Sequence, residues 1–300
     1  MANLHAAILT SLAADSLAMG AHWEYDQKRI EDALGRVSTL LPPTLTQYHP
    51  NRGAGDLSHY GDQVLVLLDT VTAAGRFDLH AFCTAWQARM KDYDGYLDRA
   101  TRETLRNLDE GLPPERSGAL SSDFSAAARI APLFTVHGDD AAALVAAARA
   151  QTLMTHNSPL VADGAEFFAR TVLGVLGGAT VREALDAAAE AGYAHLPAED
   201  WLAFTYLSAD EDARMAIARF GQSCGMKAAF HGVVHLVTRY EDTPQDALVE
   251  NVMAGGDSCA RGLMAGLILG ARHGELACAP AWCNGLTCLP FLRQCLGRVL

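Results

Sequence analysis

The chain has 300 residues, of which 50% are hydrophobic and 19% charged, and its formal net charge at pH 7 is −12. This composition supplies a sizeable core, and it argues against nucleic acid or an anionic membrane surface as a partner because no basic patch offsets the acidic excess. We therefore expect a globular protein that binds a small polar molecule. Seven cysteines, an odd number, predict reduced thiols without a disulfide framework and a cytoplasmic location.

The first predicted helix covers residues 4–19, where apolar side chains recur at three- and four-residue intervals. Asp15 interrupts this apolar pattern, and a carboxylate in such a place is either a surface or paired residue or part of a site. The loop that follows carries His22, Trp23 and Glu24. Loops with such aromatic and titratable side chains commonly line pockets.

Prolines and glycines at short intervals predict a long irregular loop over residues 41–57. Beyond a polar stretch, residues 64–71 are apolar throughout, a pattern shared by buried strands and buried helices. The helical segments around it favour a helix that begins with polar side chains. Those polar side chains are Ser58, His59, Tyr60 and Asp62.

Helical spacing continues through most of the remaining chain, and convincing strand alternation is nearly absent. We predict an all-α protein with one domain over residues 1–300. The segment 225–240 fits either a helix or an extended segment. The other predicted helices cover residues 78–108 with a break near 94–95, 141–152, 160–176, 181–191, 210–219 and 244–252.

Two polar features lie between these helices. Arg129, in an alanine-rich stretch, contacts either an anionic group of a ligand or a structural carboxylate. Thr155, His156 and Asn157 form a polar turn, in which the histidine either lines a pocket or is a structural group of the core.

Near the C-terminus, Cys278, Cys283, Cys288 and Cys295 lack a C-x-x-C pair and have apolar neighbours. We interpret them as core thiols rather than metal ligands.

A glycine pair, Gly255-Gly256, precedes Asp257, Ser258 and Cys259, and an apolar helix follows over residues 263–271. Asp257 or Ser258 can cap the free amides, and the helix dipole favours an anion or a polar oxygen at this end. Small residues at a four-residue spacing let another backbone approach one face of the helix closely. They are Gly262, Gly266 and Gly270.

Taken in order, these polar segments resemble the ADP-ribosylglycohydrolase family. The matching pieces are residues 14–19, the Asp62-Gln63 helix start, residues 155–157 and residues 255–257, together with residues 126–133 around Arg129. The resemblance covers nearly the whole chain. It implies an orthogonal bundle of helices around a cleft with two magnesium ions, where a glycosidic bond from ADP-ribose to a modified side chain is hydrolysed.

The chain departs from the family at the implied metal ligands. In the first motif, Thr-Asp-Asp-Thr-Gln, only the displaced acid Asp62 remains. In the second, Gly-Gly-Asp-Thr-Asp-Thr, Asp257 matches, whereas Cys259 replaces an aspartate and Ala260 a hydroxyl. Because magnesium requires oxygen ligands, we expect no dinuclear site and at most one weak ion between Asp62 and Asp257. The substituted pattern resembles the branch that includes the jellyfish J-type crystallins.

Two functional hypotheses follow. The first is a hydrolase of an N- or O-glycosidic bond in an ADP-ribosyl or other nucleotide-like substrate, in which acids act in place of metals. Its catalytic candidates are Asp62, Asp257, Glu24 and His156. Asp257 is expected to be an ionised base, His156 or His59 a proton donor, and Cys259 an alternative nucleophile. The substrate-binding candidates are Asp15, His22, Trp23, Ser58, His59, Tyr60, Arg129, Thr155, Asn157, Ser258 and Cys259. The second hypothesis is an inactive ligand-binding or crystallin-like structural protein.

Overall fold

The structure is a computed structural model that describes residues 2–299. Helices make up 66% of it, and no strand forms among the described residues. The all-α prediction is therefore confirmed. No helix in this part of the chain is both long and apolar enough to cross a membrane.

The helices are α1 (Ala2–Met19), α2 (Gln27–Leu34), α3 (His59–Ala74), α4 (Leu79–Lys91), α5 (Arg99–Asp109), α6 (Ser125–Ala128), α7 (Phe134–His137), α8 (Ala141–Thr155), α9 (Pro159–Leu176), α10 (Val181–Ala189), α11 (Ala198–Tyr206), α12 (Ala213–Phe220), α13 (Met226–Arg239), α14 (Pro244–Met253), α15 (Ser258–His273), α16 (Pro280–Asn284) and α17 (Leu289–Leu296). Short 3₁₀ turns occupy Pro114–Arg116, Ala131–Leu133 and Gly274–Ala277.

Helix α15 lies at the centre of the bundle and crosses α1 at very short range. Every residue of α15 from Ser258 to Ala271 is buried. A methyl group on Gly266 would lie 2.7 Å from the carbonyl oxygen of Thr10, and one on Gly270 would lie 2.5 Å from the Cα of Ala7. The absence of side chains at these positions therefore permits backbone-to-backbone packing, as the glycine spacing predicts.

The ambiguous segments resolve as helices because both are buried among other helices. The apolar run 64–71 lies within α3, and the segment 225–240 becomes α13. Helix α3 begins at Ser58, whose hydroxyl accepts hydrogen bonds from the amides of Tyr60 (3.1 Å) and Gly61 (3.4 Å). This cap fixes the polar start of α3 beside the end of α1.

The cysteines differ from the sequence-based prediction. Cys278 and Cys283 form a disulfide at the start of α16, with their Cα atoms 6.6 Å apart. The prediction that all thiols are reduced is wrong for this pair, because the turn into α16 brings two cysteines within bonding distance. The other five cysteines are free.

Candidate functional site

Three helix ends meet around Asp15. Its carboxylate accepts hydrogen bonds from the Ser58 amide (2.7 Å) and the Ser58 hydroxyl (2.5 Å). The thiol of Cys259 donates to the Asp15 carbonyl at 3.4 Å. Burial raises the pKa of Asp15 to about 7. Asp15 therefore joins α1, α3 and α15, and both of its carboxylate oxygens are occupied by the protein.

The glycine pair before α15 is required by its backbone geometry. Gly255 and Gly256 have φ angles of 71° and 70°. A Cβ on Gly256 would lie 2.2 Å from the carbonyl oxygen of Gln222. Glycine alone fits a left-handed turn this close to another backbone. The turn directs the next side chain, Asp257, into the interior.

Asp257 is 2% exposed and poorly bonded. Its Oδ2 is 3.5 Å from the Tyr60 hydroxyl, its Oδ1 is 3.7 Å from His22 Nδ1, and Oδ1 has no hydrogen-bond partner among the described residues. Burial, followed by the charge of Asp123, raises the pKa of Asp257 well above its usual range. The expectation of an ionised base differs from this result because desolvation outweighs the helix dipole.

Asp123 and Cys224 approach Asp257 from two other segments. One ligand atom from each of the three side chains lies within 4.8 Å of the other two. Two short backbone segments position them: the Phe124 amide donates to the Cys224 carbonyl at 2.8 Å, and the Asp257 amide donates to the Gln222 carbonyl at 2.9 Å. Sequence reasoning missed Asp123 and Cys224, since both follow loops without a recognisable motif.

The surroundings of a second carboxylate, Asp98, shift its pKa in the opposite direction to that of Asp257. His59 Nε2 lies 3.3 Å from its Oδ2, and the Thr101 amide donates to Oδ1 at 2.6 Å. Burial alone would raise the pKa of Asp98, but His59 and the Thr101 amide lower it well below the usual range. Asp98 is therefore held ionised. It was also missed, because an aspartate that caps a helix carries no distinguishing sequence signal.

His156 lies close to this region. Its Nδ1 is 3.0 Å from the Thr155 hydroxyl, and its Nε2 is 3.5 Å from the Ser125 hydroxyl. Burial lowers the pKa of His156, so the ring is held neutral. The neighbouring Asn157 is exposed and its amide donates to the Ala119 carbonyl at 2.8 Å.

Aromatic and histidine rings pack together near the start of α15, and they come from the loop after α1, the loop before α3, the first turn of α3 and the loop before α5. Trp23 stacks on His22 with ring centroids 4.4 Å apart and meets Tyr96 edge-on at 5.0 Å. Tyr48 is 43% exposed, so the cluster extends to the surface. We call this set the ring cluster. Its members are His22, Trp23, Tyr48, His49, His59, Tyr60 and Tyr96.

Two predicted acids have other partners. Asp62 accepts hydrogen bonds from Arg52 (2.9 Å) and the Tyr93 hydroxyl (2.6 Å), and it lines a separate cavity of 360 Å³. Glu24 forms a salt bridge with Arg29 at 2.8 Å, although its carbonyl accepts the amide of Gly256. The carboxylates of both residues are therefore engaged away from Asp257.

Arg129 is fully enclosed in the protein. It donates to the side chain of Gln63 at 2.6 Å, to the side chain of Gln151 at 2.8 Å and to the Thr155 hydroxyl at 2.9 Å. Burial lowers its pKa to about 9. These bonds link α3 to α8. Ser258 is also enclosed, and its hydroxyl has no hydrogen-bond partner among the described residues.

Asp257 is enclosed in this conformation. Cavities of 360, 630 and 270 Å³ lie on other parts of the surface, and neither Asp98 nor Asp257 lines them. The largest lies between α1, α16 and α17. The ring cluster includes His22 and Tyr60, whose polar atoms lie 3.7 Å and 3.5 Å from the Asp257 carboxylate. Asp123 and Cys224, on the same centre, are partly exposed.

A dinuclear magnesium centre does not fit these residues. The one group of three or more possible ligands found in residues 2–299 includes the thiol of Cys224, a poor ligand for a hard cation. Burial, followed by the charge of Asp15, raises the pKa of the Cys259 thiol, which keeps it protonated. Asp62 is absent from the group, and Arg52 and Tyr93 occupy its carboxylate.

The fold and site define an all-α protein with a buried polar centre where helix starts converge. Comparison of the sequence with known families gives a match to ADP-ribosylglycohydrolase over residues 2–298, and the chain belongs to this family. The chain is also similar to crystallin J1A of Tripedalia cystophora, with 24% identity over 296 residues, covering 92% of this chain and 89% of the crystallin.

A structural relative supports the same architecture. The chain is similar to a solved structure described as an ADP-ribosylglycohydrolase-related protein complex, with a TM-score of 0.72 and 17% sequence identity. The match covers 99% of this chain and 96% of the other. At this identity the likeness establishes the fold alone, and it confirms the architecture that the sequence resemblance implies.

Proposed function

We propose that the chain hydrolyses an N- or O-glycosidic bond in an ADP-ribosyl or other nucleotide-like substrate, with Asp257 as general acid and Asp98 as general base. The observation that carries this proposal is the contrast between a buried carboxylate, Asp257, and a partly buried one, Asp98. Asp257 has an oxygen without a hydrogen-bond partner among the described residues, whereas Asp98 lies 3.3 Å from His59 Nε2 and accepts a hydrogen bond from the Thr101 amide. Glycoside hydrolysis uses one protonated and one ionised carboxyl group in this way.

The two carboxylates share one electrostatic environment. The Tyr60 ring packs against His59, with centroids 3.8 Å apart, while its hydroxyl faces Asp257. After burial, the charges of Asp123, Asp257 and Asp98 all raise the pKa of the Tyr60 hydroxyl. Tyr60 thus stays a neutral phenol that can donate a hydrogen bond between the two acids.

The reaction then balances without an additional reagent. Asp257 gives its proton to the leaving oxygen or nitrogen as the bond to the anomeric carbon breaks. A water molecule attacks that carbon, and Asp98 takes the proton which the water loses. The products are a free sugar hemiacetal and the protonated leaving group. Proton exchange with solvent restores Asp257 to its acid form and Asp98 to its carboxylate form.

The ring cluster favours a substrate with a planar base. Trp23 is half-buried and Tyr48 is 43% exposed, so both can present a ring face to a nucleobase. Stacking of a base on an aromatic side chain contributes roughly 1–3 kcal/mol. Opening the cluster would exchange ring-to-ring contacts within the protein for contacts with the base, which limits the energetic cost of entry.

The enclosure of Asp257 also supports the alternative of an inactive structural protein. Asp257 is 2% exposed and lines none of the three cavities, and a relative of the chain is named a crystallin. A protein that kept the fold and lost the reaction would tolerate such an enclosed acid. The two possibilities differ in turnover, which a direct assay measures.

The test uses peptides that carry ADP-ribose on arginine or serine, incubated with the protein in the presence of EDTA. Release of ADP-ribose is followed by chromatography and mass spectrometry. We expect turnover by the unmodified protein and a loss of about 10²–10⁴-fold in Asp257→Asn, since general acid catalysis contributes that much. Asp94→Asn, at a carboxylate 66% exposed, is the control and should keep full activity. A folded protein without turnover on either linkage would favour the structural alternative.

A further inference from the structure

We infer that Asp123, Cys224 and Asp257 form a binding site for one thiophilic divalent cation of the zinc class. One ligand atom from each residue lies within 4.8 Å of the other two, which is close enough for a single ion to contact all three. Asp257 is 2% exposed, and its Oδ1 has no hydrogen-bond partner among the described residues. An unpaired, enclosed carboxylate beside a second carboxylate is costly unless a proton or a cation neutralises it.

The chemistry of the donors selects the ion. Two carboxylates and a thiolate suit zinc or cobalt, whereas magnesium and calcium avoid sulfur. Three protein ligands leave a fourth tetrahedral position, which a water molecule can occupy. The site thus differs from an oxygen-only centre in both its ligands and its metal.

The backbone holds the three ligands in place before any metal arrives. The Phe124 amide donates to the Cys224 carbonyl and the Met226 amide to the Ser122 carbonyl, both at 2.8 Å. These bonds pair the segments of Asp123 and Cys224. The Gln222 carbonyl accepts the amide of Asp257 at 2.9 Å, which attaches the third ligand to the same segment. Ligands on mutually bonded backbone lose little conformational freedom on binding.

One buried cation, Arg261, acts on this group, but its charge lowers the pKa of Asp257 less than burial and the charge of Asp123 raise it. Arg261, the buried arginine of α15, donates to the side chain of Asn251 at 3.0 Å and to the Gly255 carbonyl at 2.7 Å. His22 Nδ1 accepts the amide of Cys259 at 3.4 Å, so it is not free to give a proton to Asp257. The side chains of Asp123, Cys224 and Asp257 therefore bind either a proton or a metal ion.

The inference does not rest on the proposed hydrolysis, but it has a consequence for it. A cation on Asp257 takes the place of the proton that the leaving group would receive. Zinc is therefore expected to inhibit turnover, and a chelator to restore it. If the protein proves inactive, metal binding is still measured directly by spectroscopy.

The test is a cobalt(II) titration of the full-length protein, followed by absorption spectroscopy. We expect a thiolate-to-cobalt charge-transfer band in the near ultraviolet that zinc removes, because zinc outcompetes cobalt when both are tetrahedral. Cys224→Ser should abolish the band, and Asp123→Asn should weaken cobalt binding at least ~10-fold. Cys288→Ser is the matched control, and Cys278 and Cys283 offer no thiol because they are joined in a disulfide.

Calorimetry in two buffers of different ionisation enthalpy provides an independent readout. Burial, followed by the charges of Asp123 and Asp257, raises the pKa of the Cys224 thiol, so zinc binding must release its proton. Circular dichroism shows whether each variant is folded. The inference fails if the unmodified protein gives no charge-transfer band. It also fails if the band survives in folded Cys224→Ser, or if folded Asp123→Asn binds cobalt as tightly as the unmodified protein does.

Discussion

Gly270→Ala tests whether the close crossing of α1 and α15 holds the centre of the molecule together. The added methyl group would lie 2.5 Å from the Cα of Ala7 and 3.1 Å from the Cβ of Thr10. Neither atom can rotate away, so the two helices must separate. In an unconstrained helix, alanine is better than glycine by about 1 kcal/mol, whereas overpacking costs about 1–3 kcal/mol. Because the contact is with backbone, we expect a net loss of roughly 1–2 kcal/mol.

Urea unfolding followed by far-ultraviolet circular dichroism measures this change. Gly164→Ala in α9 is the matched control, because its methyl group would meet the end of the flexible Met226 side chain, at 2.2 Å from Cε. That side chain can move aside, so the control should be close to the unmodified protein or slightly more stable. Equal or greater stability of Gly270→Ala would refute the argument that backbone contact limits the packing.

Three further predictions concern buried charge and metal. Arg129→Met should lower the free energy of unfolding by at least about 2 kcal/mol, measured by urea unfolding, because the side-chain oxygen of Gln151 loses its donor and that of Gln63 keeps only Trp86 Nε1. The pKa of Asp15 is raised to about 7, so the folded state binds its proton more tightly than the unfolded state does. This contribution to stability is complete below about pH 4 and is lost as pH rises towards 7, and Asp15→Asn should remove that part of the slope in unfolding curves taken from pH 4 to 8. Millimolar magnesium should move the thermal midpoint by less than about 1 °C, and a larger rise would indicate a site of appreciable affinity.

The helices with clear periodicity could be predicted from the sequence, whereas some of the short ones could not. The central helix α15 and its glycine face were predicted because the spacing of Gly262, Gly266 and Gly270 has a direct geometric meaning. Helix α2 was missed although Asp26 caps it through the amides of Lys28 and Arg29. Its one buried side chain, Ile30, gives no repeated apolar position from which a helical period could be recognised.

The residues of the candidate site could likewise be predicted only in part. The polar helix starts at Ser58 and Asp257 were evident, since glycine turns and capping residues leave local signals. Asp98 and Asp123 left none, because their importance comes from tertiary contacts with His59 and with Cys224. The raised pKa of Asp257 likewise could not be predicted, since a sequence reveals the helix dipole but not the loss of solvent.

The link between the first loop and the start of α15 bears on how a ligand can reach Asp257. The Trp23 amide donates to the Gly256 carbonyl at 2.9 Å, and the Gly256 amide donates to the Glu24 carbonyl at 2.7 Å. These two hydrogen bonds join the backbone of the first loop at Trp23 to the backbone just before Asp257, so the two segments move together. Rotation of the indole alone would admit a ligand and leave Asp257 in place. Displacement of the whole loop would carry the acid with it, so entry and the position of the acid would change together. Amide hydrogen exchange at Trp23 and Gly256 distinguishes rotation of the indole from displacement of the loop. Rotation leaves both amides protected, whereas displacement of the loop exposes them.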